Sequence, residues 1–219
     1  TASLRAVNLL YILQQSEDGK WEKGKTRTGT ASLLRDVIEA AEKKILAYID
    51  EKNPELPEKE LIARQIGISA LTFNDLKNRR LMDVKFDWDS ALSFDGATGP
   101  CVQNAHVRLC SIMRKAGYVV KQEEVDFSQL TDDAAYELIK LLARKGERVE
   151  SACEMEEPSV LAQYALELSE AAHRFIHNDR VLGSAEEKSR LYLVQQSLDD
   201  SCALGQQNGQ TLADLFHGG

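Results

Sequence analysis

Positive charge is in deficit: 27 Lys and Arg are outnumbered by 35 Asp and Glu, a formal net charge of −8. That balance gives no polybasic footprint, so any face that meets nucleic acid must be local. No apolar run reaches the roughly 20 residues of a membrane helix, and no charged-then-apolar segment opens the chain, which points to a soluble protein. The four cysteines, Cys101, Cys110, Cys153 and Cys202, form no CxxC pair, so free thiols in a reducing compartment are expected rather than a zinc site or disulfide frame. No Gly-x-Ser-x-Gly elbow, acid/base carboxylate pair or Cys/His nucleophile motif stands out, and the residues alone show no self-sufficient catalytic machinery. The first residue is Thr1, which fits loss of an initiator Met, cleavage of a leader, or a piece of a longer chain.

Helical periodicity is what the chain does have. Leu9–Leu13 reads as a strand with a free edge, and 14–29 as a loop punctuated by glycines. Apolar residues then recur at helical steps over 34–49 until Pro54, and again from Glu58 to about Phe73. The aromatic stretch 81–99 reads as a packed connection. Thr98 and Pro100 open a helix that runs to Ala116. Thr131 is expected to cap a fourth helix, Pro158 to open a fifth, and Ser184 with Glu187 to make a capping box for a sixth. The fold expected is all-α, a helical bundle preceded by a short strand and loop, divided as 1–30 and 31–219.

Three groups of residues are candidates for chemistry. Four bases, Lys20, Lys23, Lys25 and Arg27, crowd the loop before Gly29 and could wrap a polyphosphate, or could simply be solvated. On the helix 100–116, Gln103 and His106 lie off the main apolar stripe and are expected to face outward with Arg108. His173 and His177 have i, i+4 spacing but no matching Cys, Asp or Glu nearby, so no metal site is expected.

The order Ala63–Arg79, then Phe86–Pro100, then Gln103-Asn-Ala-His-Val-Arg108 strongly resembles the C-terminal half of class I arginyl-tRNA synthetases. Ala171-Ala-His-Arg-Phe175 with Val181-Leu-Gly183 is similar to that family's helical anticodon-binding domain, and Lys25-Thr-Arg-Thr-Gly29 to a variant of its KMSKS-type loop. The resemblance implies that residues 1–30 are the tail of a catalytic nucleotide-binding domain. Lys25, Thr26 and Arg27 would then meet ATP phosphates, with magnesium, in a complete synthetase, and no cofactor would be held by this chain alone. It implies tRNA or another RNA as partner; the outward face of the helix 100–116 and its neighbour loop place the contacts at Gln103, His106 and Arg108, with Arg79 and Lys115.

Two positions where the family usually carries Tyr hold Cys101 and Asn104, and the C-terminal run 206–216 departs from the family pattern. The family's HIGH-type motif has no counterpart in these residues, so the chain alone is expected not to charge tRNA. An alternative is a synthetase-derived module reused as a non-catalytic subunit of a larger RNA–protein assembly. A helical protein-interaction domain that binds no RNA is the third. Location would be cytoplasmic or organellar, mitochondrial or plastid. Because Glu150–Glu170 holds six glutamates and no Lys or Arg, that stretch is expected to face away from RNA.

Overall fold

A computed structural model of the chain describes residues 12–15, 20–23, 33–93, 96–178 and 180–207. The KMSKS-like residues 25–27, the start of the expected strand and the terminal run 208–219 lie outside these. Among the described residues the strand runs past Leu13: β1 (Ile12–Gln15) pairs antiparallel with β2 (Trp21–Lys23) and parallel with β3 (Val84–Lys85). The segment read as loop therefore contains a return strand. β1 sits in the middle of the sheet, so the unpaired edge expected of it does not exist.

Among the described residues eight α-helices follow, and they build two cores. In the first, α1 (Leu34–Lys52) lies against α2 (Lys59–Leu76), with Ala41, Ile45 and Ile49 facing Ala63 and Ala70. The short α3 (Trp88–Leu92) closes it through Leu92 and Trp88, with Asp87 capping through the Ser90 amide at 2.8 Å. Phe86 meets Trp88 edge-on at 4.9 Å, which is how the aromatic connection finds its place.

The second core is built by α4 (Gly99–Ala116), α5 (Asp133–Ala143), α6 (Lys145–Met155), α7 (Ser159–Asn178) and α8 (Glu187–Gln207). Leu109, Leu138, Tyr164, Phe175, Leu191 and Val194 fill it. α7 is its axis, packed on each of the other four. The boundary expected at residue 30 lies outside the described residues; within them, packing divides near residue 93.

Three local readings change. The cap of α5 is Asp132, not Thr131: its carboxylate accepts the Ala135 amide at 2.7 Å. The chain breaks at Arg144 into α5 and α6, where the charged run Arg144-Lys-Gly-Glu-Arg148 blurs the apolar period. No reciprocal Ser184–Glu187 box forms. Glu187 instead accepts the Gly183 amide and, at 2.6 Å, the Tyr118 hydroxyl, which tie the α8 N-terminus to the end of α4.

Several polar groups inside the second core are paired. Tyr164 donates to Asp200 at 2.9 Å while Lys145 holds the other Asp200 oxygen at 2.7 Å. Burial first, then the Asp200 charge, push the Tyr164 hydroxyl far above its ordinary value, so it stays a donor. Arg190 lies over the Phe175 ring at 5.5 Å and reaches Asp132 at 2.9 Å.

Candidate nucleic-acid interface

α4 is the helix on which the expected site was placed, and its ends are built as the sequence implied. The Thr98 hydroxyl accepts the Cys101 amide at 3.1 Å and donates to the Ser93 carbonyl at 2.6 Å, and Pro100 sits in the first turn. Gly117 stops the helix in the left-handed region at φ 74°. Gly99 is required by close approach: a Cβ there would stand 3.0 Å from Phe73 Cβ and 3.2 Å from Ala70 Cα. At this point α4 seats directly on α2, joining the two cores.

That seating overturns the outward placement of Gln103 and His106. They are 3% and 2% exposed. Gln103 donates to the Ser69 hydroxyl of α2 at 2.8 Å. His106 Nδ1 lies 2.8 Å from Ser201 Oγ of α8, and Cys110 Sγ is 3.4 Å from His106 Nε2. Since the Ser201 hydroxyl donates to the Leu198 carbonyl at 2.8 Å, its oxygen is left to accept from Nδ1–H, and Nε2 accepts from the thiol. Helices α2, α7 and α8 all pack on α4, so its buried arc is wider than the apolar stripe and takes in two polar residues. Burial pushes the Cys110 and Cys202 thiols up, which keeps them protonated.

The outward arc is the complement. Arg108 and Lys115 are exposed, as is Arg114, and Asn104 and Ser111 are half-buried between them. Asn104, Arg108, Ser111 and Lys115 follow at steps of four, three and four, so they form one stripe. The i, i+4 spacing that would have found Asn104 and Ser111 was present in the sequence; it was the width of the buried arc that was not. Arg79 is exposed too, but on the turn after α2 rather than on this stripe.

Across from Arg108 on α7 stands His173, whose Nε2 is buried without a hydrogen-bond partner among the described residues. Burial, then the Arg108 charge, hold its imidazole below the ordinary value. A base whose folded pKa is depressed contributes stability above its unfolded pKa, about 6.5, and loses it as pH falls through the folded value. Thermal unfolding between pH 7 and 5 is therefore expected to move to lower temperature, and His173→Gln to flatten that dependence. Cysteine, histidine and acid side chains of the described residues form no metal-binding group, and none of their helices is long and apolar enough to cross a membrane.

The acidic stretch is partly consumed by the fold. Glu157 is buried, where it accepts from the Ser159 hydroxyl at 3.1 Å and from the Arg80 amide at 3.5 Å, and Glu167 pairs with Arg148 at 2.8 Å. Arg80 also donates to the Met155 carbonyl at 3.3 Å, and Lys77 to the Ala97 carbonyl at 2.8 Å, so the end of α2 is clamped along the seam.

Comparison with known proteins falls along the same seam. Residues 9–88 match the family model described as tRNA synthetases class I (R), catalytic domain, and residues 102–202 match the DALR anticodon binding domain. The arginine–tRNA ligase 1 of Bacillus cereus (strain ZK / E33L) is 42% identical over 179 residues, 81% of this chain and 31% of the relative. The chain belongs to the arginyl-tRNA synthetase family. The arginine–tRNA ligase of Halothermothrix orenii is 38% identical over 86% of this chain and 33% of its own length. The arginyl-tRNA synthetase of Thermus thermophilus superposes with a TM-score of 0.77 at 33% identity, covering 92% of this chain and 34% of that one. That of Plasmodium falciparum shares the fold, with a TM-score of 0.67 at 24% identity over 81% of this chain and 32% of its own. The chain thus spans about a third of the length of the relatives it matches. As in the synthetase family, its C-terminal part is a helical anticodon-binding domain, and the end of the catalytic-domain match includes α1 and α2 of the first core.

Proposed function

We propose that the chain is the tRNA-binding half of an arginyl-tRNA synthetase, serving ATP-dependent arginylation of tRNA when joined to a complete catalytic domain. The observation that carries this is the outward stripe of α4: within a bundle matched to the anticodon-binding family, Arg108 and Lys115 stand exposed and form no ion pair among the described residues. Most other bases on the second core are engaged, Lys145, Arg148, Lys188 and Arg190 each with a carboxylate. Unpaired surface cations are the groups that release counterions from a phosphate backbone.

Gln103 and His106 support this face from beneath, positioning α4 against α2 and α8, and Arg79 lies beside it on the preceding core. Lys25, Thr26 and Arg27 would serve ATP phosphates in the joined enzyme, with magnesium. The free state of the four cysteines supports a reducing compartment, cytoplasmic or organellar.

Equilibrium binding of full-length tRNA over a salt series tests the proposal. The logarithm of affinity is expected to fall linearly with the logarithm of salt, and Arg108→Ala to lower the slope by about 0.7 to 0.9 for the phosphate it loses. Absence of tRNA binding at low salt would sink the reading and favour a synthetase-derived module reused as a non-catalytic subunit.

A further inference from the structure

Between α3 and α4 the chain passes from the first core to the second. Among the described residues Phe73 is the one apolar side chain of the first core that packs against the second cluster, at the place where Gly99 seats on α2. The rest of the seam is polar. Gln103 donates to Ser69, Lys77 donates to the Ala97 carbonyl, and in the turn after α2 Arg80 reaches the turn between α6 and α7.

Arg80 engages that turn at four points. Its backbone N–H donates to Glu157 Oε1 at 3.5 Å and its Nη2 to the Met155 carbonyl at 3.3 Å, while Nη1 stands 3.9 Å from Glu156 Oε2 and Nε 3.9 Å from Glu157 Oε2. Nε is buried with no hydrogen-bond partner among the described residues, and the Glu157 side chain is 7% exposed, so the two charges compensate each other out of reach of water. The turn itself is strained. Glu156 ends α6 in the left-handed region at φ 52°, where glycine is the usual residue. A side chain keeps such a conformation only where its surroundings over-determine it, and Arg80 is part of those surroundings. Without the guanidinium, the Glu157 carboxylate would keep only the Ser159 amide and hydroxyl and the residue 80 amide as donors. The turn must then open to hydrate it, and α6 and α7 move with the turn.

We infer that Arg80 is a positioning residue: by clasping the α6–α7 turn it fixes the angle of the second core, and with it the outward face of α4, relative to the first. Arg80 lies within the match to the catalytic-domain model and Glu157 within the match to the anticodon-binding one, so the clasp joins the two matched parts. The consequence for tRNA rests on the reading that the chain binds it: the α4 face is presented at one fixed place with respect to the catalytic side.

Residual dipolar couplings of backbone N–H groups in the weakly aligned full chain report the orientation of α1 and α2 against α5, α7 and α8. The expected result is one alignment tensor for both sets of helices in the unchanged chain and in Arg80→Lys, which keeps the charge. Arg80→Met is expected to require two tensors while the couplings within each core still fit, and Glu157→Gln, which keeps an acceptor for Ser159 but drops the charge, to do the same. Fluorescence anisotropy with an anticodon stem-loop is expected to give affinities within about twofold for Arg80→Met and the unchanged chain, since Arg80 is not on the α4 stripe. A single tensor in both Arg80→Met and Glu157→Gln overturns the inference, as do two tensors in the unchanged chain. A loss of stem-loop affinity in Arg80→Met with orientation unchanged overturns it too, by making Arg80 an RNA contact. No stem-loop binding by the unchanged chain overturns the underlying reading, and the consequence for tRNA with it, while the tensors still decide whether Arg80 sets the angle.

Discussion

Phe175→Ala is expected to lower the stability of the fold by about 3–5 kcal/mol, enough to remove a large part of a typical domain's margin. The ring is fully buried at the centre of the second core, on the axis helix α7. Its removal leaves a cavity, and it also uncovers Arg190, whose guanidinium lies 5.5 Å from the ring centre. Arg190 is itself buried and bound to Asp132, the cap of α5, so the loss propagates from packing to the α5 start. Urea unfolding followed by circular dichroism measures it. A midpoint unchanged from that of the unaltered protein would mean that α7 is not the axis of the core.

Leu109→Ala and Arg108→Ala, neighbours on α4, are expected to separate folding from binding. Leu109 is buried in the second core, and its truncation is expected to cost about 2–5 kcal/mol, with no change in salt slope under conditions where the domain remains folded. Arg108 is exposed and unpaired, and its truncation is expected to leave stability within about 0.5 kcal/mol while weakening tRNA binding. The comparison is made by thermal unfolding alongside tRNA binding on the same preparations. If Arg108→Ala leaves affinity and salt slope unchanged while Leu109→Ala melts the domain, α4 is a structural element and the RNA face lies elsewhere.

The helices were legible wherever local signals, an apolar period or a cap, marked them. The apolar steps of α1 and α2, the Thr98 cap and the Pro100 start all follow from local chemistry, and all stand in the structure. What the sequence could not carry was how many neighbours a helix has. α4 touches α2, α7 and α8, and this turns Gln103 and His106 from surface polar residues into buried ones with partners 34 and 95 residues away. The same limit hid the pairing of β1 on both sides, since one partner, β3, lies about 70 residues later in the chain. Arg108 and Lys115 remained visible because charged residues without a partner stay outside in any arrangement. His173 was read as a failed metal ligand, and its relation to Arg108 exists only through the packing of α7 on α4.

Hydrogen–deuterium exchange of the chain with and without saturating tRNA tests the placement of the RNA face most directly. Protection is expected on peptides covering 104–115 and the adjoining end of α7, with none on 150–167, where glutamates line the surface. Protection concentrated on 150–167, with the α4 peptides unchanged, would contradict the account.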